Sequence, residues 1–127
     1  MTAAWDTTDL ETLSLRALEE LGANEVELEV SALYAPVYIE AADRQEVLPV
    51  DTSDPAGGFG GVDLWLASLV PVLAAAQGLR RDGRLHRATL DPLIDELVRR
   101  SESPRARREK DRLRRVVYGL LGLETAP

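Results

Sequence analysis

Leu10, Leu13, Ala17, Leu18 and Leu21 recur at intervals of three and four, the repeat of one helical face. Thr8-Asp9-Leu10-Glu11 has the form of a capping box, in which the Thr hydroxyl satisfies a backbone donor and the Glu reaches back. Gly22 offers a left-handed stop. These signals predict an amphipathic helix over residues 8–21. The period then changes to two. Glu25-Val26-Glu27-Leu28-Glu29-Val30 alternates strictly, which puts three valine and leucine side chains on one face of a strand and three glutamates on the other. Tyr34 to Ala41 and Glu46 to Val50 read as two more strands. Pro36 lacks a ladder donor, so the second strand is an edge or begins after it. Short connections favour an antiparallel β-meander over residues 24–50.

Residues 51–61, DTSDPAGGFGG, are a loop by composition. Residues 62–77 are apolar nearly all round, with Gly78 as the expected stop and Pro71 as an expected kink. The apolar run from Leu64 to Ala76 is short of the roughly 20 residues a membrane span needs, so this segment is predicted to be a buried helix. Asp91-Pro92 reads as an N-cap followed by Pro at the first helical position and opens a helix over 91–99. Ser103-Pro104 repeats the device and opens a last helix over 104–121. The expectation is one α+β domain: a helix, a two- or three-stranded meander and three C-terminal helices. At 127 residues the length suits a single core.

Charge divides this chain unevenly. Residues 1–66 hold fourteen Asp and Glu against two Arg, whereas residues 67–127 hold thirteen Lys and Arg against eight Asp and Glu. The formal net charge of −7 hides that division. An acidic total opposes nonspecific nucleic-acid binding by the whole molecule, but a basic region can bind locally.

The basic region is concentrated in the last helix, at Arg105, Arg107, Arg108, Lys110, Arg112, Arg114 and Arg115. Its second part has an apolar face that includes Val117 and Leu121. Arg105, Arg107, Arg108, Arg112, Arg115, Val117 and Leu121 are therefore candidate partner contacts. Glu25, Glu27 and Glu29 are candidates of the opposite sign, with a basic surface beside them as their natural complement. Two partners fit such a helix. One is nucleic acid, held through phosphate contacts that weaken with salt; Tyr118 is the one aromatic ring close by. The other is a protein. The alternative is internal, with the arginines neutralised by Glu109, Asp111 and the acidic half.

Complete catalytic or metal-binding motifs are absent. There is no cysteine and a single histidine, so thiol chemistry, disulfides and histidine pairs are excluded. The absence of cysteine fits the reducing cytoplasm. The glycines after Asp54 lack the Lys-Ser/Thr of a phosphate-binding loop, and the aspartates of that loop do not occupy EF-hand positions. Arg81-Asp82-Gly83-Arg84-Leu85-His86 resembles the short motif of HEPN-type ribonucleases. That resemblance implies RNA cleavage through Arg81 and His86, on a helix of an all-helical domain. Gly83 and the expected stop at Gly78 place it instead on a loop.

By exclusion, the sequence favours a non-enzymatic protein-binding adaptor, chaperone or assembly subunit, self-associated as a homodimer or joined to a protein partner, without cofactor, metal or membrane span. A nucleic-acid-binding regulator using residues 105–115 is the second expectation.

Overall fold

The computed structural model describes residues 9–50 and 63–123, with backbone alone for Asp63 and Leu64. Among these residues there are helices and no strand: α1 (Leu10–Glu20), α2 (Glu25–Asp43), α3 (Asp63–Arg81), α4 (Arg87–Ser101), α5 (Pro104–Arg108) and α6 (Lys110–Leu121). The α+β expectation is thus overturned. The predicted meander is α2 followed, over residues 46–50, by chain without regular secondary structure.

The helix wins over the strand at α2 for local reasons. Asn24 caps it, its side chain accepting from the Glu27 amide at 2.8 Å while Glu27 accepts from the Asn24 amide at 2.9 Å. This reciprocal pair satisfies two donors that a strand would leave to a partner strand. Ser31 adds a bond from its hydroxyl to the Glu27 carbonyl at 2.7 Å. The alternation of Glu with Val and Leu is compatible with both periods over six residues. Past residue 30 the buried positions are Ser31, Ala35, Tyr38 and Ala41, a helical series. Pro36 lies within α2 and is exposed.

The first helix forms as expected, with one change. Its cap is Asp9, which accepts from the Thr12 amide at 2.7 Å. Thr8 lies outside the described residues, as does the loop at 51–61. Gly22 closes α1 with φ +96°, and the Ala23 amide reaches back to the Leu18 carbonyl at 3.0 Å. Arg44-Gln45-Glu46 closes α2 in the same way, the Glu46 amide bonding the Ala41 carbonyl at 2.9 Å. Here the left-handed position belongs to Gln45, at φ +59°.

The third helix continues past Gly78 to Arg81, and the chain turns at Gly83 (φ +70°). The fourth begins before Asp91. His86 is its N-cap residue, and Thr89 locks the entry by accepting from the His86 amide at 3.0 Å and donating to the Arg84 carbonyl at 2.6 Å. Pro92 is therefore inside α4. Ser103-Pro104 does open a helix, with the Ser103 hydroxyl accepting from the Ala106 amide at 3.1 Å. That helix breaks at Glu109, whose φ of −111° and ψ of 28° are not helical. What was expected as one helix is α5 and α6.

All of this encloses α3. Leu66, Ala67, Leu69, Val70, Val72, Leu73 and Ala76 have no exposed surface. α1, α2, α4 and α5 pack around them, and Leu13, Leu18, Leu90, Ile94, Leu113 and Val117 complete the core. A buried junction ties the entry of α3 to the exit of α4. The Ser101 hydroxyl donates to the Val98 carbonyl at 2.7 Å and lies 2.7 Å from the Ser68 hydroxyl, and the Ser101 carbonyl accepts from the Val50 amide at 2.8 Å.

The two helix stops differ in a way that thermal and urea unfolding will register. A left-handed non-glycine residue costs about 1 kcal/mol. Gln45→Gly is expected to raise stability by about 0.5–1 kcal/mol, and Gly22→Ala to lower it by about 1 kcal/mol.

Candidate functional site

The basic segment is largely neutralised by its neighbours. Glu109, at the break between α5 and α6, receives Arg105 at 3.3 Å and Arg112 at 3.1 Å. Arg114 reaches Asp91 at 3.3 Å, Asp95 at 3.0 Å and Asp111 at 2.9 Å. Lys110 meets Asp95 at 3.0 Å. The guanidinium of Arg105 also lies over the Trp65 ring, 5.2 Å from its centroid, which fastens α5 to the start of α3. Among the described residues, the acids that neutralise this segment come from α4 and from the segment itself, not from the acidic first half. Arg107, Arg108 and Arg115 form no ion pair with the described residues and point to solvent.

Hydrogen bonds from Arg112 and then Arg105 hold the Glu109 carboxyl below the usual carboxylate range. A lowered folded pKa stabilises the protein above the unfolded value and is lost as pH falls through the folded one. The apolar face of α6 is also engaged internally. Val117 is fully buried and Leu121 is 3% exposed. They belong to the core and are not available to a partner.

Glu25, Glu27 and Glu29 lie on α2 and not on a strand. Glu27 is engaged in the capping box, and Glu25 and Glu29 are exposed. Beside them the structure leaves an apolar surface that strand reasoning could not assemble. Val26 is 67% exposed, Leu33 73% and Val37 48%. With the half-buried Val30 they follow steps of four, three and four residues, one stripe along the outer side of α2. The inner side of the same helix packs on α1 and α3. Helix α2 is therefore apolar on two sides, and the core uses only one. The spacing of Val26, Val30, Leu33 and Val37 was the signal in the sequence, and the Glu-Val alternation concealed it.

Acidic groups accompany the stripe. Glu25, Glu29 and Glu40 are exposed along it. Toward the end of α2 a shallow depression is lined by Asp9, Glu11, Glu40 and Asp43 around Leu10, Pro36 and Ile39. The Asp9 carboxyl is held below its ordinary value by the Thr12 amide and hydroxyl. Arg44, the residue after this end, is tied to Glu46 at 3.0 Å and Glu40 at 3.3 Å.

Arg81 and His86 are both exposed, at the end of α3 and the start of α4. Arg81 borders a cleft of about 480 Å³ between α2, α3 and α4, of which His86 is not a lining residue. That cleft mixes Arg81 and Arg100 with Asp43 and Glu46 at its edges and so has no single charge preference. Among the described residues no cluster of three metal-ligating side chains forms, and no helix is long and apolar enough to cross a membrane. Comparison of the chain with protein-family models, with curated proteins and with solved structures gives no match.

Two substitutions separate the internal roles. Val117→Asp places a charge in the core and is expected to abolish cooperative unfolding, a loss of several kcal/mol. Glu109→Gln is expected to cost about 0.5–1 kcal/mol near neutral pH, and to flatten the decline of stability below about pH 4.5. Urea unfolding across pH checks both.

Proposed function

We propose that this protein is a non-enzymatic binding module, an adaptor, chaperone or assembly subunit, whose docking surface is the outer face of α2. The observation that carries the reading is the exposure of Val26, Leu33 and Val37 in one stripe. Scattered exposed apolar residues are ordinary, but a contiguous stripe along one helix is the form of a helix-in-groove or helix-on-helix contact. Burying it gains roughly 25 cal/mol per Å² of apolar surface, which no contact within the described residues collects. The C-terminal helix expected to serve this purpose has its apolar face in the core, so docking moves from α6 to α2.

Nucleic-acid contact through residues 105–115 is less well supported. Arg105, Lys110, Arg112 and Arg114 are engaged with acids of the same molecule. Arg107, Arg108 and Arg115 leave little charge to neutralise a phosphate backbone, and Tyr118, the aromatic closest to them in sequence, is buried. A cytoplasmic setting, expected from the cysteine-free sequence, belongs to the same proposal.

A photo-crosslinking amino acid placed at Leu33 or Val37, in cells that express the protein natively, tests the docking face. The expected result is a discrete heavier adduct from positions 33 and 37 and none from Arg107. Adducts from position 107 alone, or adducts that disappear on nuclease treatment, would transfer the function to the basic segment.

A further inference from the structure

The surface on α2 has a definite charge as well as an apolar stripe, and together they restrict what can cover it. Between Glu25 and Asp43 the helix carries Glu25, Glu27, Glu29, Glu40 and Asp43 and no Lys or Arg. Glu25, Glu29 and Glu40 fall on the exposed side, in a row beside Val26, Leu33 and Val37. The row ends in the depression formed by Asp9, Glu11, Glu40 and Asp43. An acidic partner would bring like charges together in a partly desolvated contact, which costs several kcal/mol. A neutral apolar partner would bury Glu25 and Glu29 without compensation, Glu40 being met by Arg44.

Two occupants within the protein itself fail for stated reasons. A second copy pairing α2 with α2 would oppose Glu25, Glu29 and Glu40 with their own counterparts, because an isologous contact presents the same patch twice. The chain's own basic helix, α6, cannot supply the cover, since Leu113, Val117 and Leu121 are buried in the core. The homodimer expected from the sequence has no support on this face.

Resting on the docking reading above, we infer that the occupant is a basic amphipathic helix of a different protein. Its apolar residues, spaced three and four apart, cover Val26, Leu33 and Val37. Its Lys and Arg side chains flank that seam and meet Glu25, Glu29 and Glu40, with one reaching the depression at the end of α2. The seam then has the apolar centre and charged edges of a two-helix contact, in which the edges set the choice of partner. Association is fast and salt-sensitive because the charges lie at the rim.

The probe is a fluorescein-labelled, 18-residue helical peptide with leucines at steps of four, three and four and lysine or arginine flanking them. A twin carries glutamate at every basic position. Anisotropy is read at low and high salt, with circular dichroism confirming that each protein variant is folded. The basic peptide is expected to saturate at one per chain and the acidic twin not to bind. Leu33→Asp with Val37→Asp should weaken binding at least about tenfold, as should Glu29→Lys with Glu40→Lys. The charge-matched control, Asp82→Lys with Glu102→Lys, should change it less than about threefold, since neither residue belongs to α2 or lines the depression at its end.

Equal losses in the control and in the α2 variants would overturn the inference by reducing binding to net charge. Loss on Leu33→Asp with no effect of Glu29→Lys and Glu40→Lys, or equal binding of the acidic twin, would overturn the basic class and leave the docking face in place. Failure of both peptides to bind overturns the inference; the crosslinks from positions 33 and 37 then decide the docking reading separately. A dimer by light scattering that dissociates on Leu33→Asp would make the occupant a second copy.

Discussion

From Trp65 to Ala76 the third helix is apolar nearly all round, and that single property organises the molecule. A helix with no polar face has to be surrounded, because each residue it leaves in water forgoes the main favourable term of folding. Leu66, Leu69, Val70, Val72 and Leu73 have no exposed surface because α1, α2, α4 and α5 enclose them. The surrounding helices are ordinary by comparison. α1 and α6 each offer one apolar stripe, and each stripe is used inward. The polar devices serve the same arrangement. Ser68 and Ser101 pin the entry of α3 to the exit of α4, and Arg105 over Trp65 holds α5 against its first turn.

Helix α2 is the exception among the surrounding helices, and its excess is the proposed docking surface. It resembles α3 in having apolar residues on more than one side, but it is placed at the periphery. One side covers α3 and the other faces water. In a peripheral helix the outward side is normally polar, so Val26, Leu33 and Val37 have no role in the fold as described. The exposed acids Glu25, Glu29 and Glu40 flank them. The basic half, in contrast, is mostly committed to internal pairs. Asp91, Asp95, Glu109 and Asp111 take up Arg105, Lys110, Arg112 and Arg114. Uneven charge along a chain therefore marks a partner only after the internal pairs have been subtracted. Here the subtraction removes much of the basic region and, on α2, Glu40, but leaves Glu25 and Glu29.

The legible parts of the sequence were those with one consistent signal. Leu10 to Leu21, closed by Gly22, read as a helix because period and stop agreed. Ser103-Pro104 read as a helix start because its geometry is local. The buried helix around Leu64 to Ala76 read correctly from its uniform hydrophobicity, although Gly78 did not end it. A single helical glycine costs only about 1 kcal/mol, which packing easily outweighs. The error over residues 24–50 came from six residues that fit two periods at once. Glu25 to Val30 alternate, and the reciprocal Asn24–Glu27 cap, visible as Asn-x-x-Glu, points to the other answer. A strand there divides Val26, Val30, Leu33 and Val37 between two elements, and the stripe is visible only on a continuous helix. Glu109 shows the reverse case. Its neighbours Arg105 and Arg112 lie four before and three after it, so the ion pairs were legible, but the break they stabilise was not.

The central claim is that the outer face of α2 is surplus to this fold and kept for a partner. The most direct test is the unfolding free energy of the isolated protein when Val26, Leu33 and Val37 are all replaced by glutamine, measured in urea beside the parent. The account predicts a change within about 0.5 kcal/mol in either direction, as for substitutions on an uncovered surface. A loss of more than about 2 kcal/mol would contradict it, because that is the cost of stripping apolar side chains from a packed contact. The face would then be covered by the chain itself.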